Sequence, residues 1–187
     1  MTKKQLRLFY KQEPLKTERL TLRKILKTDL EDVYDYAKNP NVSKYLLWSP
    51  HPNREYTEKY LEIVEKLYLK AKFYDFAIVL NENYKMIGTV GFTSINIEQN
   101  SAEIGYVLNE RYWKKGYARE AVLRIIEYAR EVLHLDTLYA KFILENERSR
   151  NLLTSLGFSE KAELRHGLSV KGEMREICVF SKKISEG

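Results

Sequence analysis

Between residues 103 and 133 the chain sets a strand, a glycine-bearing loop and a helix in immediate succession. Glu103-Ile-Gly-Tyr-Val-Leu108 reads as the strand, and Trp113-Lys-Lys-Gly-Tyr-Ala-Arg-Glu-Ala121 carries the loop into the helix. Val122, Ile125, Ile126, Ala129 and Leu133 recur at helical spacing, while Glu120, Arg124, Glu127 and Arg130 take the opposite face. Glu120 also precedes Arg124 by four residues, the order that supports a helical ion pair. The first turn of such a helix has unpaired N–H groups and the positive end of the macrodipole, so backbone that comes close to a ligand there can bind phosphate. Gly116 permits that approach, Ala118 obstructs little, and Lys114 and Lys115 add positive charge. A lone glycine before a helix also commonly just turns the chain, and the loop holds neither G-x-x-x-x-G-K-S/T nor G-x-G-x-x-G.

The remaining elements follow from periodicity. Residues 17 to 25 alternate as a strand. Thr28-x-x-Glu31 reads as a capping box for a helix that Asn39-Pro40 closes. An irregular loop, Asn41 to Asn53, holds Tyr45, Leu46, Trp48 and His51 among prolines; Tyr45 and Trp48 either wall a substrate or cover the core. A longer helix runs from Arg54, with Thr57, Tyr60, Leu61, Val64, Leu67, Tyr68 and Ala71 in register. Strands at 73–80 and 84–95 join through Asn81-Glu-Asn83, and a turn at 96–100 leads to the strand at 102–108. Beyond the central helix come a strand at 137–144, a helix at 146–156 ended by Gly157, and two strands around His166 to Gly172. The order β-α-α-β-β-β-α-β-α-β-β predicts an α/β fold with a mixed, mostly antiparallel sheet and helices on both faces.

A single domain over residues 1–187 is the simplest organisation, with 1–14 a flexible lead or docking segment. A composition 44% hydrophobic and 31% charged is that of an ordinary globular protein. No apolar run reaches the roughly 20 residues a membrane helix needs, and the one cysteine cannot form an internal disulfide, so the expected location is cytoplasmic. The net charge of +6 favours acidic partners. The basic residues are spread, without zinc-finger or RNP spacing, so direct nucleic-acid binding is not expected. The three histidines stand apart, which argues against a metal site.

Tyr112-Trp-Lys-Lys-Gly-Tyr-Ala-Arg-Glu-Ala121, preceded by Ala102-Glu-Ile-Gly-Tyr106, resembles the acetyl-CoA pyrophosphate loop of the GNAT superfamily of N-acetyltransferases, most closely the RimJ/RimL type that acetylates ribosomal-protein N-termini. Asn146-x-x-Ser149-x-x-Leu152-x-x-x-Leu156-Gly157-Phe158 is similar to its second cofactor segment. Thr17-Glu-Arg-Leu-Thr-Leu-Arg23 and Asn39-Pro-Asn-Val-Ser-Lys-Tyr-Leu46 resemble its opening strand and substrate-side helices. The likeness covers about residues 15 to 183. Trp113 stands where Gln or Arg usually begins the loop, and Lys114 where Gly is usual.

The resemblance implies acetyl-CoA as cosubstrate, no metal, and direct transfer to a primary amine in a ternary complex. Its fourth and fifth strands would splay apart, with the pantetheine arm paired to free backbone of Tyr106, Val107 and Leu108. Trp113, Lys114, Lys115, Gly116, Tyr117, Ala118 and Arg119 would hold the pyrophosphate, and the amide of Val107 or Leu108 would polarise the acetyl carbonyl. Glu103 is the candidate base; its plainer role is an edge-strand carboxylate satisfied by a Lys or Arg. Ser149 is the suggested proton donor, or a supporting hydrogen-bond partner. Asn146 either caps its helix or binds the pantetheine arm. The acceptor implied is a protein N-terminal α-amine, a ribosomal protein among them, with a small amine such as a polyamine, antibiotic or amino acid as the alternative. A homodimer is an allowed assembly, and a CoA-binding or basic interaction module without turnover is the reading from another class.

Overall fold

The computed structural model describes residues 13–70 and 72–185. The first twelve residues, including most of the expected docking segment, and Ala71 of the expected helix register lie outside them. In chain order come β1 (Leu15–Lys16), β2 (Leu20–Arg23), α1 (Leu30–Ala37), α2 (Pro40–Ser43), α3 (Arg54–Leu69), β3 (Tyr74–Leu80), β4 (Met86–Asn96) and β5 (Ser101–Leu108). They are followed by α4 (Tyr117–Glu131), β6 (Thr137–Ile143), α5 (Glu147–Ser155), β7 (Ser159–Glu160), β8 (His166–Val170) and β9 (Glu173–Lys183).

The strands form one sheet in the order β1-β2-β3-β4-β5-β6-β9-β7, with β8 added on β9. β5 and β6 are parallel, joined by the α4 crossover, and the other neighbours are antiparallel. Alternation along β3 defines the two faces. Phe76 meets Tyr128 of α4 edge-on, with ring centroids 5.9 Å apart. Asp75, one residue earlier, lies in the electrostatic field of Tyr36 on α1 and Tyr60 on α3. Leu20, Leu22, Ile78, Leu80, Ile125 and Leu133 are fully buried between these layers. Each such side chain contributes about 1.5–3 kcal/mol of burial.

Three local expectations are corrected. The Thr28–Glu31 box does not form: Asp29 Oδ2 accepts the Leu26 amide at 2.8 Å, its carboxylate pairs with Arg23, and Glu31 is drawn to Arg54. Asn39-Pro40 both closes α1 and opens α2, since the Asn39 side chain accepts the Asn41 amide. Residues 166–170 are a strand rather than a loop. The turn shrinks to Lys171 and Gly172, both at positive φ (53° and 85°), the backbone of a two-residue hairpin.

The feature that positions a site is where β5 and β6 part. They pair from Ser101↔Thr137 to Ile104↔Ala140 and no further. β4 holds β5 as far as Leu108, while β9 holds β6 as far as Ile143. The edge of β5 from Gly105 onward is therefore open toward β6.

Asp75 also makes stability depend on pH. Burial raises its carboxyl from an ordinary 3.8 to about 7. The folded chain thus keeps this proton where the unfolded chain has released it. The resulting stability is full below pH 4 and is lost as pH rises through 7, by up to about 4 kcal/mol. Chemical denaturation of wild type and Asp75→Asn should give curves that diverge between pH 4 and 8, with the variant the more stable at pH 8. Parallel curves would contradict the assignment.

Candidate active site

A cleft of about 350 Å³ opens at the parting of β5 and β6. Its lining includes Tyr106, Val107, Leu108, Trp113, Lys114, Gly116, Tyr117, Ala118, Arg119, Asn146 and Ser149, together with Tyr45. Residues as far apart in sequence as Tyr45 and Ser149 thus meet at one place.

The loop into α4 is built on two left-handed residues. Gly116, the N-cap, has φ 84°, a conformation glycine adopts without steric cost. Lys114 has φ 61°, so this lysine takes the backbone shape that usually calls for glycine. The back of the loop is held by Arg19, whose Nη1 donates to the Lys115 carbonyl at 3.1 Å and whose guanidinium stacks 4.5 Å from the Tyr117 ring centre.

Glu120 completes this brace. It accepts from Thr17 Oγ1 at 2.5 Å, from the Arg19 amide at 2.9 Å and from Arg19 Nε at 2.7 Å. Burial alone would raise its carboxyl, but these donors outweigh it and hold the group below the usual range. The expected helical pair with Arg124 is absent, because Arg124 turns to Glu127 at 3.2 Å. Glu120 is a tether from α4 to the β1–β2 turn.

Lys115 does not line the cleft; its Nζ lies 5.4 Å from the Tyr112 ring centre. A positive charge comes instead from Arg148, whose guanidinium sits 3.7 Å over the Trp113 ring. The indole is fixed in turn by Nε1 donating to the Leu108 carbonyl at 2.8 Å. Sequence reasoning missed Arg148; the only signal was its place in the first turn of α5, two residues after Asn146.

At the inner end, Asn146 Oδ1 accepts the Ser149 amide at 3.3 Å and so caps α5. Only the carbonyl oxygen is used, which leaves the side-chain NH₂ for the cleft. Capping and pantetheine binding are therefore compatible in one residue. Ser149 Oγ lies 2.9 Å from the Tyr106 hydroxyl. Burial pushes the Tyr106 hydroxyl up to about 12, against the pull of the Ser149 bond. It stays a protonated phenol at neutral pH and can donate to Ser149, which frees the serine proton to point elsewhere.

Glu103 lies outside this cleft. It lines a second cavity of about 370 Å³ with Ser94, Asn96, Tyr139, Lys141 and His166. Lys141 Nζ pairs with Glu103 Oε2 at 2.7 Å, and Thr93 Oγ1 donates to Oε1 at 3.0 Å. The plain expectation of a carboxylate satisfied by a lysine is thus met. Glu103 nevertheless stands one residue before the last β5–β6 pair, three residues along β5 from Tyr106 of the cleft. Trp48 does not reach the cleft; it packs on His51 at 5.6 Å, and His51 bonds Thr57 at 2.9 Å. Tyr45 does reach it.

The residues fit acetyl-CoA on three counts. The helix N-terminus behind Gly116 with Lys114, Arg119 and Arg148 suits a pyrophosphate. The open edge of β5 suits an amide-bearing arm. The apolar walls of Leu108, Trp113 and Leu152 suit its methylenes. Among the described residues no cluster of His, Cys, Asp and Glu could hold a metal ion.

Comparison with known proteins agrees. The acetyltransferase (GNAT) domain family matches residues 19–159. The chain is 37% identical over 169 residues to the uncharacterized N-acetyltransferase p20 of Bacillus licheniformis, covering 90% of this chain and 95% of that one. It is 27% identical to a spermidine N(1)-acetyltransferase of Vibrio cholerae over 84% of this chain and 89% of that protein. The crystal structure of ribosomal-protein-S5-alanine acetyltransferase from Vibrio fischeri superposes with a TM-score of 0.73 at 24% identity, covering 92% and 97% of the two chains. The chain belongs to the GNAT family of N-acetyltransferases, whose cosubstrate is acetyl-CoA.

Proposed function

We propose that this enzyme, one domain acting in the cytoplasm, acetylates a primary amine by direct transfer in a ternary complex, with Glu103 as base and Ser149 as proton donor. The carrying observation is the parting of β5 and β6 at a cleft suited to acetyl-CoA, with Glu103 on the last paired stretch of β5 lining a second cavity. Bound acetyl-CoA supplies an activated acetyl thioester. The backbone of Val107 and Leu108 faces the thioester oxygen and stabilises charge there. Glu103 takes the proton of the amine, directly or through water. A primary α-amine, with an ordinary pKa near ~8, needs only modest help from it. Ser149, backed by the Tyr106 phenol, gives a proton to the departing sulfur.

Two acceptor classes remain. A protein N-terminal α-amine, with ribosomal proteins among the candidates, is supported by the likeness to the S5-alanine acetyltransferase. A small amine is supported by the spermidine acetyltransferase relative. Initial-rate kinetics with an amine panel test the mechanism: intersecting double-reciprocal lines and no acetylated enzyme are expected, whereas parallel lines with an acetyl-enzyme would overturn it.

A further inference from the structure

We propose that the chain acetylates itself on Lys141, whose ammonium occupies the place beside Glu103 that an acceptor amine must take. This rests on the amine-acetylating reading above and adds a modification site to it.

Lys141 is singled out by where it stands on its strand. Ala140 makes the last pair with β5, opposite Ile104, so Lys141 is the first residue of β6 past the parting. Glu103 pairs with Tyr139, and side chains alternate between the faces of a strand, so Lys141 shares the face of Glu103. Its Nζ lies 2.7 Å from Glu103 Oε2, and both residues line the second cavity. The lysine side chain is 45% exposed, which leaves it free to move. Counted on from the last pair, Lys141 is level with Gly105, two residues or about 7 Å along the strand from Val107, whose backbone faces the thioester oxygen in the reading above. A flexible four-carbon stem can swing its nitrogen over such a gap.

Other lysines lack one half of this arrangement. Lys27 and Lys85 also hold carboxylates at 2.8 Å, but these belong to Glu65 on α3 and Asp32 on α1, and none of the four residues lines the cleft or the cavity of Glu103. Lys114 lines the cleft, in the loop ahead of α4, and takes no part in the cavity of Glu103.

An ammonium is no nucleophile until it loses a proton, and the carboxylate to take it is already in contact. Glu103 takes one proton, the freed lone pair of Nζ forms a bond to the acetyl carbon, and the carbon–sulfur bond breaks. The sulfur leaves with the proton given by Ser149, the second nitrogen proton makes up that loss, and Glu103 releases the first to water. The products are Nε-acetyllysine and free CoA. Because amine and thioester are held on one chain, the step is intramolecular, an advantage that a lysine elsewhere on the surface does not have. The amide carries no charge, so the modification also ends the ion pair with Glu103.

The test is incubation of the full chain with acetyl-CoA and no other amine, followed by intact mass and peptide mapping. One added acetyl group should accumulate at Lys141, at a rate per chain that does not change with protein concentration. Lys141→Arg keeps a cation for Glu103, so its thermal denaturation should match wild type while the added mass falls by about tenfold or more. Glu103→Gln should slow the modification by about 10²-fold. Acetyl groups scattered over many lysines, or the same labelling of the heat-denatured chain, would be uncatalysed chemistry and would overturn the inference. So would a rate per chain that rises in proportion to protein concentration, or external amines acetylated while Lys141 stays unmodified. If neither Lys141 nor any external amine is acetylated, the amine-transfer reading has failed and this inference falls with it.

Discussion

Replacing Glu103 with glutamine lowers kcat for amine acetylation by about 10²-fold, with KM for acetyl-CoA changed by no more than about twofold. Glutamine keeps the shape of the side chain and can still accept from Thr93, but it cannot take a proton, and it loses the ionic partner of Lys141. Because Glu103 lies outside the acetyl-CoA cleft, the loss falls on turnover rather than on cosubstrate binding. If its role were only to pair with Lys141, the half-exposed bridge would contribute about 0–1 kcal/mol to stability and the rate would be unaffected. Steady-state kinetics with thermal denaturation on the same samples separate the two. A variant with normal kcat and a slightly lower Tm would remove Glu103 from the chemistry.

Gly88→Ala is expected to destabilise the fold by about 3 kcal/mol or more, well beyond an ordinary surface change. An alanine Cβ there would lie 2.1 Å from the Val107 carbonyl oxygen and 2.9 Å from Leu108 Cα, both backbone atoms that cannot swing aside. β4 would have to move off β5, and β5 supplies the edge facing the cleft. Chemical denaturation measures the loss, and acetyl-CoA affinity should fall with it. A variant of unchanged stability would mean that β4 and β5 do not pack at this register.

Much of this was legible in the chain because it is local. Helical spacing from Val122 to Leu133 announced α4, and Gly116 ahead of it announced the loop. Asn146 three residues before Ser149 announced the α5 cap. What escaped depends on contacts between distant segments. Glu120 looked like the partner of Arg124 on its own helix, but Thr17 and Arg19 come to it across about a hundred residues and offer three donors in place of one. Arg148 carried no mark of its place over Trp113. Trp48 had the composition of a substrate wall, yet His51, anchored by Thr57, draws its ring away from the cleft. Asp75 sat inside an ordinary β-rich run. Only the lateral register that sets Asp75 against Gly91 accounts for its burial, and register is a property of the sheet rather than of any one strand.

The central claim is that the cleft between β5 and β6 delivers an acetyl group to an amine brought to Glu103. The most direct measurement follows isotope-labelled acetyl-CoA with a panel of peptides and small amines and reads free thiol and acetylated amine together. Equal, enzyme-dependent formation of both, abolished by heat denaturation, is the predicted result. Thiol release without any acetylated amine, or neither product across peptides and small amines alike, would contradict it.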